Sequence, residues 1–163
     1  MTHDSRIQRV GTLFDTIMNP HLRALTMSRG IYVVGCASCD CTIYVGKADG
    51  IFGRLIQHAF QPPYGVVDIV IGEVVLPHRR GERFCSHLND VRALTRVEIA
   101  KALRVDIRLV PAGQSTAAVE NKVRTELDPP YGDGRRMWRP VEELLDYLAD
   151  YRRHRDSASA STH

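Results

Sequence analysis

Apolar positions along the chain change period several times, and each change marks an element. Ile7, Val10, Leu13, Phe14 and Ile17 approximate the i, i+3, i+4 stripe of a helix over Ser5–Met18, which Asn19-Pro20 ends. The period then drops to two. Ile31–Gly35 and Thr42–Gly46 read as two strands across a turn rich in Cys, Ser and Asp. If Tyr32 pairs with Tyr44, the turn centres on Ser38 and Tyr32, Val34, Thr42, Tyr44 and Gly46 share one face. Ile31, Val33, Ile43 and Val45 then take the other face, where a core would want them. Ile51–Phe60 reads as a helix behind the hairpin, with Gly50 and Gly53 shaping the turn between them.

Past Gln61-Pro62-Pro63-Tyr64-Gly65, the β-branched run Val66–Leu76 reads as a strand and Cys85–Leu103 as a helix. Val105–Val110 alternates again and supplies the third strand of the sheet. Ser115 or Thr116 caps a helix reaching about Leu127, with Val119, Val123 and Leu127 as its apolar stripe. Val141–Arg153 is an amphipathic last helix, and the Ser/Ala-rich Asp156–His163 is expected to be a disordered tail. The expected fold class is α/β (α+β): a small, three-stranded, mainly antiparallel sheet flanked by helices in a single domain over residues 1–155.

Composition leaves this picture open on the side of function. With 163 residues and 44% apolar content, one domain with its own core is the expectation. A net charge of +3 and a pI near 8.8 permit a nucleic-acid partner without demanding one. No apolar run is long enough to span a membrane. The N-terminus MTHDSRIQRV lacks a basic-then-apolar leader pattern, so the expected location is the cytoplasm. Cytosolic thiols stay reduced, which leaves the four cysteines for other uses. Cys36, Cys39 and Cys41 form C-x2-C-x-C, a possible zinc turn whose fourth ligand would come from Cys85, His87 or another chain. A reduced Cys-rich turn with no metal is the plainer alternative.

Candidate chemistry collects on the hairpin and its helix. Two tyrosines on one strand face, beside a glycine where a ligand can reach the backbone, make a site floor. Arg54 and His58 stand at i, i+4 and point from one helix face, so Tyr32, Tyr44, Lys47, Arg54 and His58 can converge. This stretch resembles the GIY-YIG nuclease family. Gly30-Ile31-Tyr32 matches its first motif and Tyr44-Val45-Gly46 its second, with Lys47, Arg54 and His58 at fitting offsets. The resemblance implies a core over about 29–60 and 104–134, with residues of about 61–103 as an insertion. It also raises Glu120, because the family carries a metal-binding glutamate on the helix after its third strand. Where many members place an asparagine beyond that glutamate, this chain has Gly132 and Asp133, and Asn121 points to another side of the helix.

What the resemblance implies is a metal-dependent endonuclease that hydrolyses DNA phosphodiesters, of restriction, repair or mobile-element type. RNA is not excluded as substrate, and cutting both strands with one small domain would favour a homodimer. Tyr32 would act as general base on water, His58 would hold or receive its proton, and Tyr44 would orient Tyr32 or the water. Arg54 would contact the phosphate, Lys47 would add charge, and Glu120 would bind one divalent cation, Mg²⁺ or Mn²⁺. A tyrosine near pKa 10 needs roughly 3–4 kcal/mol of preference for phenolate to serve near neutrality. One cation at about 4 Å in an effective dielectric near 20 supplies about that. Arg79 and Arg80 in the loop PHRRGER, and Arg135 and Arg136 beside the lone Trp138, are candidate nucleic-acid contacts. Trp138 can equally anchor the last helix. The alternative from another class is a non-catalytic nucleic-acid-binding module on the same fold.

Overall fold

A computed structural model describes residues 6–61, 65–75, 85–90 and 95–131, with positions 146, 149 and 153. The mixed α/β class stands, but the sheet has four strands rather than three, in the order β1-β4-β2-β3. The added strand is β1 (Gln8–Thr12), cut from the front of the expected N-terminal helix. It pairs antiparallel with β4 (Leu103–Leu109), from Gln8 opposite Ile107 to Thr12 opposite Arg104. A bulge between Arg9 and Gly11 breaks the register, and Gly11 takes φ +153°, a value L side chains rarely adopt. Helix α1 (Leu13–Met18) starts only where Thr12 can cap it: Thr12 Oγ1 accepts from the Asp15 amide and the Asp15 carboxylate accepts from the Thr12 amide, both at 3.1 Å. A 3-10 turn (Pro20–Leu22) and the short α2 (Arg23–Thr26) then lead into β2 (Gly30–Cys36).

The hairpin of β2 and β3 (Thr42–Ala48) forms as expected in a shifted register. Tyr32 lies opposite Gly46 and Val34 opposite Tyr44, two residues from the expected pairing. A shift by an even number leaves every side chain on its face. A second bulge follows, however, because the next pair is Gly35 with Thr42. The extra residue is Ile43, which joins the tyrosine-face core with Tyr32 and Val34, while Ile31, Val33 and Val45 stay on the opposite face. Gly46 opposes Tyr32 of necessity: a Cβ there would run into the Tyr32 ring and hydroxyl.

The larger core therefore lies under the tyrosine face, contrary to expectation. Leu13 and Ile17 of α1, Ile51, Leu55 and Ala59 of α3 (Ile51–Phe60), and Ile99 of α5 (Arg96–Ala102) join Tyr32, Val34, Val105 and Ile107 there. The other face carries a smaller cluster of Ile31, Val33, Val45 and Val110, closed by Val123 of α6 (Thr116–Leu127). Ser115 caps α6 as expected, accepting from the Ala118 amide at 3.2 Å. Leu127 ends the α6 stripe partly exposed rather than in the core.

Two middle elements differ from the reading of the sequence. Val66–Val75 is a helix, α4, not a strand. Every residue from 66 to 72 is buried, so no polar face interrupts the run, and a wholly buried helix then reads like a buried strand. The Gly65 amide donates to Asp68 Oδ2 at 3.0 Å, setting a carboxylate at the start of α4. Both Asp68 oxygens accept from the Arg96 guanidinium, whose Nε also donates to the Ala59 carbonyl at 2.6 Å, so one arginine joins α3, α4 and α5. The expected long helix from Cys85 is instead a 3-10 turn (Ser86–Asp90) and α5, which passes into β4 without a loop. Gly53, expected in a turn, sits within α3. Among the described residues, no helix is long and apolar enough to cross a membrane.

Candidate active site and cysteine cluster

The hairpin, α3 and α6 enclose a cavity of about 490 Å³ lined by Tyr32, Tyr44, Lys47, Arg54, His58 and Glu120. All six catalytic candidates thus meet in one place. Strand alternation puts Tyr32 and Tyr44 on the cavity side, with ring centroids 6.1 Å apart. Helical spacing brings His58 under both, 5.4 Å from Tyr32 and 4.9 Å from Tyr44 between centroids. Tyr32 Oη lies 2.8 Å from His58 Nε2.

The backbone decides which way that hydrogen bond runs. The Val66 amide donates to His58 Nδ1 at 3.1 Å, so Nδ1 carries no proton. Burial, then the Arg54 charge, lowers the His58 pKa from 6.5 to about 4, so the ring is neutral at pH 7. A neutral imidazole with a bare Nδ1 holds its proton on Nε2. His58 therefore donates to the Tyr32 oxygen and cannot take that hydroxyl's proton. Tyr32 itself is 2% exposed. Burial, followed by the neighbouring Tyr44, pushes its pKa well above the ordinary value near 10, and Arg54 opposes the rise. Tyr32 is a phenol at rest.

Glu120 sits at the far wall, buried, on α6. Its Oε1 accepts from Arg124 Nη2 at 2.7 Å, and its Oε2 is 3.5 Å from Lys47 Nζ. Arg124 Nη2 also donates to the Val45 carbonyl at 3.0 Å, which ties the carboxylate to β3. Arg124 was not among the expected site residues, although its i, i+4 spacing from Glu120 is the visible signal for such a pair. Gln57 lines the cavity too and accepts from Arg54 at 3.2 Å. The Val66 amide, being backbone, leaves no mark in a sequence. Arg79, Arg80, Arg135, Arg136, Trp138 and the Gly132-Asp133 loop lie outside the described residues.

A hard divalent cation in the cavity would need carboxylate oxygens. Glu120 is the one carboxylate among its lining residues, and Mg²⁺ commonly takes one or two carboxylates while keeping several waters. Oε1 is committed to Arg124. Oε2 faces the looser contact with Lys47 at 3.5 Å, so an oxygen-liganded cation at Oε2 would have to displace that ammonium.

A second cluster occupies the turn end of the same hairpin. Ligand atoms of Cys36, Cys39, Cys85 and His87 all lie within 4.8 Å of one another, so these residues can hold a metal ion. The tightest set takes in Cys85 and His87, because β2 and the 85–88 segment meet there, and leaves out the expected Cys41, whose thiol borders the cluster in contact with those of Cys39 and Cys85. Cys41 contributes its carbonyl, accepting from the Cys36 amide at 3.2 Å. None of the cysteines is in a disulfide. Burial pushes Cys36 and Cys85 up to about 11. No family model matches the chain, and no curated protein or solved structure matches it either.

Proposed function

We propose that the chain is a metal-dependent endonuclease of the GIY-YIG type, hydrolysing DNA phosphodiester bonds in the cavity of Tyr32 and Glu120. The observation that carries the reading is the Tyr32–His58 pair, locked by the Val66 amide and facing Arg54, Lys47 and a lone carboxylate across one cavity. Arg54 and Lys47 receive the phosphate and offset its charge. Tyr44, stacked beside Tyr32, borders the place of the attacking water. His58 Nε2–H donates to the Tyr32 oxygen and so favours the phenolate over the phenol. Glu120 would hold a divalent cation, Mg²⁺ or Mn²⁺, which would supply further positive charge beside the phosphate. The phenol first gives its proton to solvent; the phenolate then takes a proton from water as the water oxygen bonds to phosphorus and the bond to the sugar oxygen breaks, the leaving oxygen being protonated from solvent. The role given to His58 changes from proton acceptor to donor.

Supercoiled plasmid incubated with Mg²⁺ tests the reading. Nicking is expected from the wild type and lost in folded Tyr32→Phe, Arg54→Ala and Glu120→Gln proteins; undiminished nicking in all three would overturn it. One observation favours a second reading, a non-catalytic nucleic-acid-binding module: two cations already engage Glu120. That reading predicts salt-sensitive DNA binding, no turnover with any divalent metal, and unchanged binding in Glu120→Gln.

A further inference from the structure

We propose that Cys36, Cys39, Cys85 and His87 form a closed, structural zinc site that clamps the β2–β3 turn to the 85–88 segment, separate from the nuclease cavity. The distances call for a single ion. Four ligands at zinc–sulfur length stand about 3.8 Å apart at the corners of a tetrahedron. Here Cys39 Sγ is 3.4 Å from Cys85 Sγ, and Cys85 Sγ is 3.5 Å from His87 Nδ1. A disulfide would need about 2.05 Å between sulfurs. Three sulfurs and one imidazole nitrogen are a soft set that selects zinc over Mg²⁺.

The surrounding backbone shapes the turn around the sulfurs. The Ser38 amide, two residues past Cys36, donates to its sulfur at 3.4 Å. Arg104, 5% exposed, donates to the carbonyls of Cys36, Cys39 and Cys41, which holds the turn in shape before any ion arrives. Loading releases three thiol protons and leaves a centre of net charge −1; the Arg104 guanidinium against the same turn shares its charge between this centre and Asp106, with which it pairs at 3.0 Å. Four protein ligands leave no open position, so the site stabilises rather than catalyses. Its two arms, Cys36–Cys39 and Cys85–His87, are joined across a 46-residue separation between Cys39 and Cys85, a long loop whose closure restrains the unfolded chain.

Elemental analysis of the full chain, purified without metal-binding tags, tests the site independently of nuclease activity. About one zinc per chain is expected. Cobalt(II) exchanged into the wild type should give intense tetrahedral bands with sulfur-to-metal charge transfer. Cys39→Ser and Cys85→Ser should lose the ion, whereas Cys41→Ser should keep it. Should the two serine variants fail to fold, the cobalt spectrum of the wild type decides alone. A metal-free wild type, iron or copper in place of zinc, a Cys39–Cys85 disulfide by mass spectrometry, or octahedral cobalt bands would each overturn the proposal.

Discussion

The two ends of one hairpin present opposite surroundings on the same two strands. At the open end, Tyr32 and Tyr44 face a cavity of about 490 Å³ with one carboxylate, Glu120, in its lining. At the turn end, three sulfurs and an imidazole crowd within 4.8 Å. The first would take a hard, oxygen-liganded cation with its waters, and the second a single ion among soft donors. On the two proposals above, ligand softness and coordination number would separate two metal chemistries along one hairpin, with no need for two domains. A cation at the wrong end would meet either too few donors or the wrong kind.

The largest effect that can break this division lies at the open end. Removing the Tyr32 hydroxyl in Tyr32→Phe should lower plasmid nicking by about 10²–10⁴-fold while leaving the zinc content and the fold unchanged. Gly46→Ala should act in the same direction, since its methyl group displaces the Tyr32 ring. Because the phenol is raised above its ordinary pKa, kcat/KM should also rise about tenfold per pH unit between pH 6.5 and 9. A flat profile would remove Tyr32 as the base.

Next in size is the turn end. Zinc present at about a thousand times its Kd stabilises by about 4 kcal/mol. Chelation should then lower Tm by about 10 °C, with nicking retained at low temperature once Mg²⁺ is restored. Smaller again is the acid response of His58. Its pKa falls from 6.5 to about 4 on folding, so the unfolded chain binds the proton first as pH drops. The stability is whole above 6.5 and is lost on the way down toward 4. By pH 5 the loss is about 2 kcal/mol, and His58→Gln should remove that slope in a comparison of thermal melts. Lys47→Ala should do least, reducing the salt slope of DNA binding by about one with little change in Tm.

How much of this was legible varied with the physics. The hairpin and α3 alternate cleanly at periods of two and 3.6, and every catalytic candidate on them reached the cavity. Glu120 was singled out by resemblance, and Arg124, which points off the apolar stripe of the same helix beside it, was given no role at the site. Ile7, Val10, Leu13, Phe14 and Ile17 fit a helical stripe, yet a capping box at Thr12 divides that stripe into strand and helix. The run from Val66 misled for a different reason, because burial on every side erases the polar half of any period. The region from 61 to 103, expected as an insertion, places α4 in the main core and supplies the amide that orients His58. The candidate metal turn was visible in Cys36 and Cys39, but its other arm is set by tertiary contact, and only the fold brings both Cys85 and His87 to it.

The division of labour between the two ends is tested most directly by assaying fully zinc-loaded protein on supercoiled plasmid with and without Mg²⁺. No cutting without Mg²⁺ and robust nicking with it, at unchanged zinc content, is the expected result. Cutting by the zinc-loaded protein with every trace of Mg²⁺ removed, unaffected by Glu120→Gln, would contradict the account.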